Sequence, residues 1–89
     1  MRIYPATLQR VFENKLDEGA DGADEIAFGK EDLQRALEEL DLDVRDPMEI
    51  PSAYSTSRAL PDEIKEHGFT DLVLDESHDG PGDVYKFVK

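Results

Sequence analysis

Residues 69 to 88 read FTDLVLDESHDGPGDVYKFV, two short apolar runs separated by a segment rich in glycine and acidic residues. The composition of Phe69 to Asp75 predicts a strand, His78 to Asp83 its turn, and Val84 to Val88 the returning strand. The two glycines of the turn flank a proline, which indicates a loop longer than the minimal two residues. The segment therefore predicts a β-hairpin.

Apolar residues at helical spacing predict two helices upstream of this hairpin. The first covers roughly residues 6 to 17 and follows Pro5, a residue suited to a first helical turn. The second covers about residues 30 to 40. The apolar positions that define them are Leu8, Val11, Phe12 and Leu16 in the first helix, and Leu33, Ala36, Leu37 and Leu40 in the second. An acidic, glycine-containing loop separates the helices and is followed by a short extended segment at 25–28.

A third helix is expected to begin near Pro51, after a turn in which two prolines restrict the residues before them. Leu60-Pro61 interrupts this helix, and a further turn from Asp62 to His67 ends at Gly68, a plausible cap. The third helix is therefore predicted to be broken.

This order predicts an α+β fold, a single winged-helix domain over residues 1–89, because one modest core is all that 89 residues can bury. The winged helix is a helix-turn-helix variant with three helices and a small antiparallel sheet that ends in a β-hairpin wing. The segment at 25–28 favours it by supplying a third strand. A three-helix bundle with an incidental hairpin is the alternative.

The composition is strongly acidic, with 22 Asp and Glu against 10 Lys and Arg and a formal net charge of −12. This charge excludes a generic basic nucleic-acid binder and a polybasic membrane module. The periodic placement of the hydrophobic residues, 38% of the chain, distinguishes it from a disordered acidic tail. The acid excess resembles that of proteins from salt-accumulating organisms, so we expect a halophilic-type solvated surface.

The apolar runs are too short for a membrane segment or a signal peptide, since the longest is Leu72-Val73-Leu74. We therefore expect a cytoplasmic protein that does not bind membranes. With no cysteine, disulfides and thiol catalysis are excluded. His67 and His78 lack partners at metal-binding spacing.

No catalytic residue, metal site or cofactor is predicted, so we do not expect an enzyme. The run from Pro61 to Lys65 contains the pieces of a nuclease motif, but they are contiguous on one helical turn instead of lying on neighbouring strands. The run from Asp75 to Gly80 begins like a calcium loop, but its twelfth position is Lys86, where a bidentate glutamate is needed.

Two segments, residues 1 to 12 and 50 to 61, contain no acidic residue. Residues 13 to 49 carry 14 acidic against 4 basic side chains, and residues 62 to 83 carry 8 against 1. Because a duplex repels carboxylates, the acid-free segments are predicted to face DNA with hydroxyls and arginines. The predicted DNA-binding residues are Arg2, Arg10, Ser52, Tyr54, Ser55, Thr56, Ser57 and Arg58. Alternatively, the serine-rich stretch is an ordinary turn or part of the core, and Tyr54 is the residue most suited to burial.

The motif Tyr54-Ser55 with Arg58, then Leu60-Pro61-x-x-Ile64, and finally Tyr85-Lys86-Phe87, is similar to the amino-terminal winged-helix region of restriction-endonuclease-like proteins. Phe28 and Glu31-Asp32-Leu33 agree more loosely. The resemblance implies a DNA-targeting domain without the catalytic domain. It implies contact or scaffold roles for Tyr54 and Arg58, and packing roles for Leu60, Pro61 and Ile64. The turn from Asp79 to Asp83 departs from the family because it is acidic where a basic turn is usual.

These observations predict duplex DNA binding, as a regulator or a targeting domain, through Ser52 to Arg58 with support from Arg2 and Arg10. The alternative is a protein-interaction or dimerisation module that uses the same fold to bind a second copy of the chain, as a homodimer, or another protein, and whose acidic surface does not bind DNA. A third interpretation is an acidic inhibitor that mimics DNA. The feature that discriminates between these is whether residues 1 to 12 and 50 to 61 meet on one face.

Overall fold

The computed structural model describes residues 3–20, 22–56, 59–75 and 84–89, which form four helices and three strands. In chain order these are α1 (Ile3–Lys15), β1 (Glu25–Phe28), α2 (Lys30–Glu39), α3 (Glu49–Thr56), α4 (Asp62–Lys65), β2 (Asp71–Leu74) and β3 (Tyr85–Val88). Leu16–Ala20 follows α1 directly, and its path is kinked at Gly19, which adopts a non-helical φ of 107° that other residues rarely accept. The α+β class predicted from the sequence is confirmed.

The three strands form one antiparallel sheet in the order β1-β3-β2, so β3 lies in the centre. Phe87 of β3 lies between Ile26 and Leu72, and Tyr85 lies between Phe28 and Leu74. The predicted pairing of the two hairpin strands and the predicted third strand at residues 25–28 are both confirmed. The predicted turn, His78 to Asp83, lies outside the described residues.

Four aromatic rings join α1 to the sheet. Phe12 of α1 meets Phe69 and Phe87 edge to face, with ring centroids 5.4 Å apart in both pairs. Phe87 in turn stacks on Phe28 at 4.9 Å. Such tilted and offset pairs contribute beyond the apolar area that they bury. The helix α1 therefore packs across the inner face of the sheet, and the buried residues of the other helices complete one core.

The predicted break in the third helix is confirmed, and it divides the helix into α3 and α4, so the structure has four helices where three were expected. Pro61 has an extended ψ of 147°, and α4 begins at the next residue. The break arises because a proline restricts the residue before it to extended conformations and supplies no backbone N–H to continue a helix. α4 ends at Lys65, two residues before the expected His67, and Gly68 closes the turn that follows, as expected of a cap: its N–H donates to Lys65 O at 2.9 Å and its φ is 95°.

The first two helices lie close to their predicted positions. α1 begins three residues earlier than the expected residue 6 and passes through Pro5 in its first turn. α2 begins at Lys30, where the carboxylate of Asp32 accepts the Gly29 N–H at 3.0 Å. This bond satisfies one of the backbone donors that a helix start leaves without a partner.

Candidate nucleic-acid interface

The helix α3 carries most of the predicted DNA-binding residues that the structure describes. Ile50, Pro51 and Tyr54 are buried in the core. Because these positions recur on one side of the helix, Ser52 and Thr56 are exposed on the other side and Ser55 is half-buried. The exposed side of α3 from Ser52 to Thr56 is called the α3 face below, and it contains no charged side chain.

The hydroxyl groups of the α3 face donate to the helix backbone. Ser55 Oγ and Thr56 Oγ1 each donate to Ser52 O at 3.0 Å, and Thr56 Oγ1 also lies 3.3 Å from Ala53 O. A hydroxyl that donates in this way retains acceptor lone pairs. These two residues can therefore accept hydrogen bonds from base amino groups, but they must give up their helix bonds to donate to phosphates.

Tyr54 does not lie on the α3 face. Its residue surface is only 7% exposed, and it belongs to the core cluster. The burial follows from helix geometry, because Tyr54 is four residues from the fully buried Ile50 and therefore shares its side. Tyr54 is therefore a scaffold residue of the core and not the direct DNA contact that the sequence suggested. Its burial agrees with the alternative given for this residue.

Arg10 is directed toward α2. Its Nε donates to Glu39 Oε1 at 3.3 Å, and Glu13 lies 3.9 Å from the guanidinium. The hydrogen bond and charge of Glu39 raise the pKa of Arg10, so the cation is held firmly in its charged form. A DNA phosphate would have to compete with these carboxylates, because the predicted contact residue is already part of an ion pair.

The pair between Arg10 and Glu39 belongs to a network that sequence reasoning missed. The buried Asn14 donates from Nδ2 to Glu39 Oε1 at 2.6 Å, and Arg35 lies 3.8 Å from the other carboxylate oxygen. The hydrogen bond that Asn14 donates has the largest effect on Glu39, and that from Arg10 the next largest. Both lower the pKa of Glu39 below its ordinary value. Arg10 and Asn14 are four residues apart on one face of α1. That spacing is the signal that could have indicated a shared partner.

The two acid-free segments of the sequence approach each other, but carboxylates border their junction. Tyr4 Oη of α1 donates to Glu49 Oε2 of α3 at 3.1 Å. Gln9 Nε2 of α1 donates to Glu63 of α4. The helix α1 therefore lies beside both α3 and α4. The acidic side chains at the starts of those two helices border the surface formed by the acid-free segments.

Three predicted DNA-binding residues, Arg2, Ser57 and Arg58, lie outside the described residues. The acidic hairpin turn with His78 and the calcium-like run beyond Asp75 lie outside them as well. Within the residues that the structure does describe, no three His, Asp or Glu side chains come together in a way that could hold a metal ion. His67 is exposed, and its ring packs against Phe12 with centroids 5.1 Å apart.

Among the described residues, no helix has both the length and the apolar character needed to cross a bilayer. Comparison of the chain with protein-family models, with curated proteins and with solved structures gave no match in any of the three cases.

Proposed function

We propose that the chain is a winged-helix domain that binds duplex DNA through the α3 face. The order of its elements and the position of β3 between β1 and β2 support this proposal. In winged-helix proteins, the helix in the position of α3 enters the major groove, and the hairpin in the position of β2 and β3 forms the wing. The described strands are compatible with that arrangement.

The absence of charge on the α3 face is the observation that carries the proposal. On a chain with a net charge of −12, this face presents hydroxyls and a small apolar residue between two acid-dense regions. Hydroxyl groups serve both phosphate and base-edge contacts, and a neutral face allows the duplex to approach where carboxylates would repel it. A surface acidified only for hydration has no reason to omit acids here.

The proposal also predicts an unusually weak dependence of binding on salt. Arg10 is paired with Glu39 and Glu13, and the other cations in the sequence of the acid-free segments are Arg2 and Arg58, to which we assign the phosphate contacts. Each neutralised phosphate contributes about −0.9 to the slope of log K against log salt concentration, so two contacts give a slope of about −2. Binding would then depend mainly on hydrogen bonds and shape.

The direct test is Ser52→Glu, measured by fluorescence anisotropy with a mixed-sequence duplex at two potassium chloride concentrations about tenfold apart. A carboxylate on the α3 face should weaken binding at least about tenfold, because like charges at an interface are costly. Gln34→Glu is the matched control, since it adds the same charge to the exposed side of α2. Equal losses in the two variants would contradict the assignment of the α3 face.

A second pair of variants tests Arg58, the arginine that follows α3 in the sequence. Arg58→Ala should weaken DNA binding, whereas Arg45→Ala, which removes the same charge from the exposed loop after α2, should have little effect. Circular dichroism of each variant establishes that it is folded. If the folded wild type does not bind the duplex at either salt concentration, the DNA proposal fails.

A protein-interaction module is the second candidate function. The acidic side chains beside α1 favour it, because Glu49 and Glu63 contact that helix and Arg10 is already paired with Glu39. Those carboxylates disfavour a polyanion without disfavouring a protein surface. This candidate is supported if the α3 face variants leave the fold intact and no DNA binding is found.

A further inference from the structure

The strand β2 forms one edge of the sheet, because the described strands place β3 on only one side of it. Asp75 N donates to Val84 O at 2.7 Å, which makes these two residues a hydrogen-bonded pair that continues the β2-β3 ladder. Hydrogen-bonded and non-hydrogen-bonded pairs alternate along an antiparallel ladder. The backbone N–H and C=O groups of Leu72 and Leu74 therefore point away from β3, toward the outer edge of the sheet.

This edge also carries exposed apolar side chains. Val73 is 37% exposed and Leu74 is 41% exposed, and together with Ile3 they are the exposed large hydrophobic residues of the described chain. Successive strand residues point to opposite faces, so Val73 lies on the outer face of the sheet. Leu74 continues the inner row that begins with Phe28 and Tyr85. An added strand would therefore bury apolar surface on both faces.

The opposite edge of the sheet, formed by β1, does not expose large apolar side chains. In β1 the large apolar residues Ile26 and Phe28 are buried, and its exposed residues are Glu25 and Ala27. Natural edge strands are usually protected by charges or by covering segments. The edge of β2 has apolar residues where such protection would be expected.

The charges around β2 determine which strand fits. Asp71 and Asp75 bracket three apolar residues, and the whole chain carries a net charge of −12. An antiparallel strand with cations four residues apart would place one cation opposite each aspartate and apolar residues opposite Leu72, Val73 and Leu74. Opposite charges at directly facing positions stabilise a strand pair, and like charges destabilise it.

We propose that the outer edge of β2 binds an extended basic and apolar segment of a partner protein as an added antiparallel strand. A second copy of this chain fits less well, because pairing β2 with itself in that register places Asp71 opposite Asp75 of the other copy at both ends. The proposal does not depend on DNA binding, because the outer edge of β2 contains none of the residues to which the duplex contacts are assigned.

A synthetic peptide with the core Lys-Val-Ile-Val-Lys, flanked by threonines and labelled with a fluorophore, provides the probe for anisotropy with the full chain. Saturable binding is expected, and replacing both lysines by glutamates should weaken it at least about fivefold. Methylating the backbone nitrogens of the two valines, which face Leu72 and Leu74, should abolish binding. Methylating the nitrogen of the central isoleucine, which faces away from β2, should not.

Variants of the chain locate the site. Val73→Lys should weaken peptide binding, whereas Ile3→Lys should not, since it makes the same change at a residue of similar exposure, 38%, on α1. Asp71→Lys should reduce the preference for the lysine peptide over the glutamate peptide, because only Asp75 then still favours a lysine. Circular dichroism of each variant reports its folding, and because the peptide modifications leave the protein unchanged, they test the proposal independently of any variant's stability.

Three results would overturn the proposal: no binding of the lysine peptide to the folded chain, equal binding of the lysine and glutamate peptides, or binding that survives methylation of both valines. A dimer in sedimentation equilibrium that Val73→Lys dissociates and Ile3→Lys does not would also overturn it, by assigning the edge to a second copy. Loss of duplex binding in Ser52→Glu with unchanged peptide binding would separate this site from the α3 face.

Discussion

The helices α2 and α3 both pack against the core with one apolar side, but they differ in how their remaining side chains are used. On α2, Glu39 accepts from Asn14 and Arg10 of α1, and Asp32 pairs with Lys15 at 3.0 Å. The α3 face has hydroxyls that bond to their own helix. Charges therefore help hold α2 in place, whereas α3 is held mainly by its buried apolar residues.

This difference shows that the number of acidic residues in a segment is a poor guide to its function. Two of the acidic side chains of α2 have partners on α1, so they contribute to the fold as well as to the net charge. The α3 face contributes little to the fold in its described contacts, and a change there leaves the core intact. A face of this kind is available to a partner, which is why the proposed DNA contact is assigned to it.

The largest expected effect comes from breaking the apolar attachment of α3. Ile50 is fully buried, so Ile50→Ala removes packed atoms and leaves a cavity, at a cost of about 2–5 kcal/mol in the free energy of unfolding. Urea unfolding monitored by circular dichroism measures it. Ser52→Ala is the control on the exposed side of the same helix, with an expected change within about 0.5 kcal/mol. Similar costs for both variants would contradict the apolar attachment.

A smaller effect is expected from the polar attachment of α2. Asn14→Ala removes the 2.6 Å hydrogen bond to Glu39, so it should lower the free energy of unfolding, by less than Ile50→Ala does. The same unfolding measurement applies, with Gln34→Ala on the exposed side of α2 as the control. If Asn14→Ala is as stable as the control, the bond does not help hold α2 against α1.

The parts of the fold that depend on local sequence could be predicted. The strand at 25–28 has the expected bounds because its two buried residues alternate with exposed ones. The break before α4 and the glycine at its end follow from the backbone limits of proline and the freedom of glycine. The element order and the α+β class followed from such local signals.

The candidate site could be predicted only in part, because its surroundings depend on contacts between distant residues. The gap in acidic residues at 50 to 61 was visible in the sequence, and it places an uncharged face on α3. The sequence did not indicate that Glu49 and Glu63 would contact α1, or that Arg10 would face Glu39 instead of solvent. A gap along the chain becomes a neutral surface only where the neighbouring elements are also free of acids.

The smallest expected effect is a change in the pH dependence of stability when the pairing of Glu39 is weakened. Asn14 and Arg10 lower the pKa of Glu39 in the folded chain, so folding favours the ionised carboxylate. Its contribution is fully present above the unfolded pKa and is lost as the pH falls through the lower folded pKa. In Glu39→Gln that contribution is absent at every pH.

The difference in stability between the wild type and Glu39→Gln should therefore be largest near pH 7 and should shrink below about pH 5, as measured by urea midpoints at constant ionic strength. Glu38→Gln is the matched control, because it removes the same charge from the exposed side of α2 and reports the general relief of repulsion in so acidic a chain. A difference between the two variants that depends on pH assigns the effect to the contacts of Glu39. Identical pH profiles would mean that the acids of α2 act only through the net charge, and the contrast between α2 and α3 would then be one of composition alone.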